Sequence, residues 1–155
     1  MKEQIIETWY INNRVNLVLL DAVSDEGLNC TLSKRGGRNV ALQFAHLHNV
    51  RLYWLAKRAK DLLEGHVKID KECTVDRTLL KERLTESEDA IAKMVKKGVD
   101  SGGIAKGFSR GVIPMLGYMI AHEAHHRGNI LLTLKQCGHN IPQEIRYGIW
   151  DWNKI

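Results

Sequence analysis

The stretch PMLGYMIAHEAHHRGNILLTLKQC occupies residues 114–137 and reads as a single helix. Pro114 is tolerated in a first turn, where its missing N–H has no partner to lose, and Gly138 supplies a stop. At 100° per residue the segment is apolar almost all round, so it belongs inside a bundle rather than on a surface. In its middle stand His122, Glu123, His125 and His126. The stripe nearest His122 holds Met115, Tyr118, Met119, His126, Asn129 and Thr133. That mixture is expected of a helix facing an internal pocket.

Three further helical segments surround it. The first runs from about Ile5 to Val23, with Ile5, Trp9, Asn13, Asn16 and Leu20 on one stripe. A Ser-, Asp- and Gly-rich break follows, and Asn39 is the predicted N-cap of a second helix from Val40 to Leu63, halted near Gly65. A third starts near Asp76 and carries Leu80, Leu84, Ser87, Ile91, Met94 and Val95 inward. It is expected to end at Lys96-Lys97-Gly98, with cations at the negative end of the dipole and Gly98 as the terminating glycine. No period-two run survives beyond a few residues. The pattern predicts an all-α four-helix bundle, one domain over residues 1–155, with Trp150 and Trp152 docking the tail onto it.

A chain of 155 residues has room for one core of useful size. With 44% hydrophobic and 26% charged residues it is neither disordered nor a membrane bundle. Runs such as Val15 to Leu20 are too short to span a bilayer, and Met1-Lys2-Glu3-Gln4 leads into no signal-type apolar core, so a cytoplasmic address is expected. The formal net charge of +5 raises the question of nucleic acid. The basic residues are dispersed and lack interleaved aromatics, which argues against that partner. Cys30, Cys73 and Cys137 form no CxxC pair, so thiolate zinc knuckles and thioredoxin chemistry are excluded; they read as reduced packing thiols.

The chemistry lies with the histidines. Residues four apart on a helix lie one turn above each other, so His122 and His126 can hold one divalent cation between them. A surface or capping cluster is the blander reading of such a pair, but an imidazole pair on a buried helix must be satisfied, and a metal would do so. A zinc- or nickel-type site wants a third protein ligand. His46 and His48 project about 200° apart and cannot both face one pocket. His48 shares its face with Phe44, Leu52 and Leu55, as a core histidine would. His46 shares its face with Leu42, Asn49, Val50 and Tyr53, more like a pocket wall, and is the chosen third ligand.

Residues 122–126 also spell HExxH, the zincin motif, in which Glu123 would activate a zinc-bound water. Position 129 is Asn where the extended metzincin form needs Gly, no edge strand is available to hold a peptide, and only His139 or Glu144 lies downstream as a ligand. The peptidase reading is the weaker one.

His122-Glu123-Ala124-His125-His126-Arg127-Gly128-Asn129 resembles the HExHHRGQ signature in the last core helix of the DinB (damage-inducible) family. Residues 45–55, from Ala45-His46 to Trp54-Leu55, resemble that family's second-helix pattern, and Gly148-Ile149-Trp150-Asp151-Trp152 resembles the close of some members. The resemblance runs from Trp9 to Trp152 and implies a bundle of the DinB/YfiT type, often dimeric, with a divalent metal on His46, His122 and His126. Asn129 departs from the usual Gln. The wider superfamily includes thiol transferases using bacillithiol or glutathione and a mycothiol-dependent maleylpyruvate isomerase. The resemblance therefore implies a metal-dependent thiol transferase or hydrolase acting on a small molecule, with a low-molecular-weight thiol as a possible co-substrate. A metal-binding stress protein without turnover is the alternative.

Asn16, Asn49, Tyr53 and Tyr118 are the expected pocket walls. Arg127 is placed on the far, apolar side of the last helix and read as a structural ion-pair partner. Leu116, Ile120, Leu131 and Leu134 form a second apolar face there, which predicts a homodimer.

Overall fold

The computed structural model describes residues 1–155. In chain order the elements are α1 (Lys2–Ala22), α2 (Asp25–Leu28), α3 (Val40–Arg58), a 3-10 turn (Lys60–Leu62), α4 (Arg77–Asp100), α5 (Val112–Gln136) and α6 (Gln143–Gly148). There is no strand. The four long helices are the four expected from periodicity, and their caps follow local chemistry. Asn39 Oδ1 accepts from Leu42 N at the start of α3, and Asp76 Oδ1 accepts from Leu79 N at the start of α4. At the end of α5, His139 N donates to Leu134 O and Gly138 N to Lys135 O, with Gly138 at φ +81°, a Schellman stop.

Two boundaries differ from expectation. The second helix ends at Arg58, and the residues up to Leu62 tighten into the 3-10 turn. The third does not stop at Gly98 but continues to Asp100. Gly98 is there for space: a Cβ would sit 2.8 Å from Ile104 O and 2.8 Å from Val112 Cγ2, where the loop crosses α4 before entering α5.

Two apolar cores occupy the two ends of the bundle. One joins Leu19 and Leu20 near the end of α1 to Val40 and Phe44 at the start of α3, Leu80 and Leu84 at the start of α4, and Ile130 and Leu134 late in α5. The other joins Trp9, Leu52, Leu55, Ile91, Val95, Val112 and Met115. It follows that α1 and α5 run one way and α3 and α4 the other. Helix α4 packs against α1 and α3, and α5 packs against the same two. Because α3 and α4 are parallel, residues 59–76 must return along the bundle. His48 and Asn49 fasten this crossover: the His48 ring nitrogens lie 2.9 Å from Val67 O and 2.8 Å from Arg83 O, and the Asn49 amide exchanges two hydrogen bonds with the Ile69 backbone.

Between the two cores lies a buried polar layer built from Asn12, Asn13 and Asn16 of α1, Arg51 of α3, Ser87 and Glu88 of α4, and Glu123 and Arg127 of α5. Arg51 Nε donates to Glu123 Oε1 at 2.7 Å, and Arg51 also donates to Asn13 and to Leu84 O. Asn12 and Asn16 donate to Glu123 Oε2 at 2.6 and 2.7 Å, and their carbonyl oxygens accept from Arg127 at 2.9 and 2.7 Å. Arg127 is thus a structural residue, as expected, though its direct partners are amides.

The second face of α5 is less open than its sequence suggested. Leu116 and Leu134 are buried within the protomer, and only Ile120 and Leu131 remain half-buried. The tail is held by Ile149, which is buried, while Trp150 is 76% exposed and only rims a groove shared with Ile120 and Leu131. The small residues Gly117, Ala121, Ala124 and Gly128 face outward, so α5 is not buried all round.

Candidate metal centre

Helix α5 carries His122 and His126 one turn apart, and α3, antiparallel to it, brings His46 opposite them. One ring nitrogen from each lies within 4.8 Å of the other two. The ring centroids of His46 are 5.4 Å from His122 and 4.6 Å from His126, and those of His122 and His126 are 4.7 Å apart. Three atoms at 4.8 Å spacing lie about 2.8 Å from their common centre, so each ring need close by less than about 1 Å to reach a metal–imidazole bond of ~2.1 Å. The donor set therefore fits a divalent cation that takes nitrogen ligands, zinc or nickel among them.

All three imidazoles are half-buried, and burial is the first reason their basicity falls. His46 is pushed down to about 4 by burial, by the Arg38 charge and by His122. His126 is pushed down to about 4 by burial and by its histidine neighbours, with Arg38 adding to the effect. His122 is lowered by burial, against the pull of Glu123. At neutral pH the three rings are unprotonated, the form that coordinates a metal.

The other expected residues divide. Tyr118 is half-exposed and stacks on His122, with ring centroids 6.4 Å apart and planes at 22°; beyond it Trp54 lies edge-on at 5.5 Å. Asn49 borders a cavity of about 410 Å³ together with His46, but its amide is committed to the crossover backbone. Tyr53 lies on the outer surface against Trp54 and Lys57, without ring contact to the histidines. Asn16 is corrected: it is fully buried, with both amide atoms committed to Glu123 and Arg127, so it belongs to the polar layer and does not line the cleft. His48 is a core histidine, as its apolar face indicated, and burial lowers its basicity. His125 points aside, and its Nε2 accepts from Asn129 Nδ2 at 3.1 Å.

Glu123 does not face the histidines. Arg51, Asn12 and Asn16 hold its carboxylate inside the bundle, where it is buried and does not reach a water in the cleft. The zincin role has no base. The residues that the sequence did not single out are Arg38 and Gln43. Arg38 borders cavities on both sides of the centre, one with His46 and a second, of about 300 Å³, with His126. Its place just before the Asn39 cap, two turns below His46 along the line of α3, was the available signal.

A family model described as DinB family matches residues 1–148. No curated protein and no solved structure matches the chain.

Proposed function

This chain belongs to the DinB family, and from that premise we propose that it is a divalent-metal protein whose three-histidine centre presents a nucleophile to a small-molecule substrate. The supporting observation is the one-sided donor set. Two helices supply three imidazoles, and no fourth protein ligand joins His46, His122 and His126. A structural zinc site is closed by four protein ligands, whereas a catalytic one keeps a position for water or substrate. A bound zinc or nickel ion would lower the pKa of a thiol or water in that position. The protein's own part is to hold the imidazoles neutral, to wall the cleft with Tyr118, and to keep Glu123 out of it.

We read the nucleophile as a low-molecular-weight thiol, in a transferase, with water and hydrolysis as the second reading. No helix is long and apolar enough to cross a membrane, and a cytoplasmic setting with free thiols fits the absence of any disulfide among Cys30, Cys73 and Cys137. Elemental analysis of purified protein followed by cobalt substitution tests the proposal. A charge-transfer band on adding 2-mercaptoethanol, lost in His122→Ala, supports an open metal position. Stoichiometric cobalt whose spectrum no thiol or anion alters would identify a closed, structural metal and remove the catalytic reading.

A further inference from the structure

The second cavity beside the centre has an unusual lining. Between the loop that ends at Arg38 and the outer side of α5 it presents Arg38, Gln43, Asn129, Thr31, Ser33 and His126, and no carboxylate. Arg38 is exposed and forms no ion pair. Gln43 is 9% exposed, and its side-chain amide makes no hydrogen bond within the protein, so what is accessible of it is free to bind a group in this cavity. By contrast, the cavity on the His46 side contains Asp70 and Glu72, which offset Arg38 and Lys71 there. An anion entering from the His126 side meets a guanidinium fork, an amide with nothing to bind, and no opposing charge.

We propose that this cavity is an organic-anion subsite of the centre, in which Arg38 and Gln43 grip a carboxylate of the small molecule whose reacting atom lies at the three histidines. The inference rests on the reading of those histidines as an open metal centre, and it assigns the substrate class: a small carboxylic acid, or a thiol that bears one. Arg38 is the specificity-determining residue, and Gln43 orients the bound group. Tyr118 walls the centre beyond His122, on the side away from His126, and offers a flat face to the apolar remainder of the molecule.

The test uses cobalt-loaded protein titrated with 3-mercaptopropionate and with its neutral amide, reading the thiolate-to-cobalt absorption. Comparing the ratio of the two affinities across variants cancels the difference in thiol acidity. The acid is expected to bind about tenfold more tightly than the amide, a ratio typical of one charge-assisted pair. Arg38→Gln should bring the ratio to near one by weakening the acid alone; Gln43→Leu should reduce it by a smaller factor, and Arg38→Lys should keep part of it. Equal affinities in the unaltered protein, or a ratio unchanged in Arg38→Gln, overturn the subsite while leaving the metal centre standing. If neither thiol gives a band, the thiol reading of the centre fails instead. Calorimetric titration with propionate then decides the subsite: binding that Arg38→Gln removes supports it, and no binding overturns it.

Discussion

Glu123→Gln is the sharpest perturbation of the buried layer, because it changes one charge and almost no volume. The carboxylate accepts from Arg51 at 2.7 and 3.0 Å, and from Asn12 and Asn16 at 2.6 and 2.7 Å. A glutamine amide must turn its NH₂ either toward Arg51 Nε or toward the two asparagine NH₂ groups, and both choices set donor against donor. The asparagines cannot flip to relieve this, since their carbonyl oxygens hold Arg127. Two buried guanidinium groups would then lose the ionised carboxylate they share, leaving only Glu88, whose own carboxyl burial raises to about 7. Breaking a buried pair from one side costs about 3–5 kcal/mol. At about 2–4 °C per kcal/mol for a chain of this size, the melting temperature should fall by roughly 6–20 °C. Urea unfolding followed by far-ultraviolet circular dichroism measures the loss, and elemental analysis of the folded protein should show metal content unchanged. A loss under about 1 kcal/mol would refute the assignment of this layer as the energetic keystone.

Further outcomes follow from the same geometry. His122→Ala or His126→Ala should abolish stoichiometric metal binding and His46→Ala should weaken it severely, whereas His48→Leu should keep the metal and cost about 1–3 kcal/mol by releasing the Val67 carbonyl of the crossover, the Arg83 carbonyl keeping the Ser87 hydroxyl; metal lost from His48→Leu but not from His46→Ala would reverse the assignment. Burial raises the Glu88 carboxyl to about 7 from 4.5. Between those values the folded state keeps a proton that the unfolded chain has released, so its contribution to stability is present below pH ~4.5 and fades as pH rises through ~7. Glu88→Gln should flatten that stretch of the urea-midpoint profile, and an unchanged slope would contradict it. With Leu116 and Leu134 buried, the case for a homodimer rests on the narrower strip of Ile120, Leu131 and the exposed Trp150 along α5; sedimentation at low micromolar concentration is expected to give a dimer, and a monomer unaffected by removing residues after Gln143 would count against both the dimer and the docked tail.

The helices and the three imidazoles were legible because each depends on local spacing: a 3.6-residue stripe, an Asn or Asp cap, two histidines one turn apart. His46 could be preferred to His48 for the same reason, since their faces differ. What spacing does not carry is partnership across helices. Asn13 and Asn16 stood on an otherwise apolar stripe, and that was a signal of an inward polar layer, but nothing in α1 names Glu123 or Arg127 as the residues they meet. Asn16 was accordingly assigned to the cleft. The sense of α3 relative to α4 was hidden too; a connection of residues 59–76 permits a return along the bundle without requiring it. Gly98 misled for a related reason, because its use is a close approach by distant residues and not the end of its own helix.

The polar layer has a consequence for the accuracy of the centre. Two apolar cores alone would let one helix slide along its neighbours by a turn, about 5.4 Å, because leucine would meet leucine again. Such a slip of α5 would carry Glu123 away from Arg51 and strand a charge among aliphatic side chains, so only one alignment survives. His122 adjoins Glu123 in sequence, and His46 lies just over one turn from Arg51 on α3. The pair that forbids sliding is therefore built into the two helices that must bring their imidazoles to bonding distance, where tolerance is about 0.2 Å. Leucines in place of the layer could give a bundle of comparable stability. They would give it no vernier, and the three ligands would lose the mark by which they are aligned.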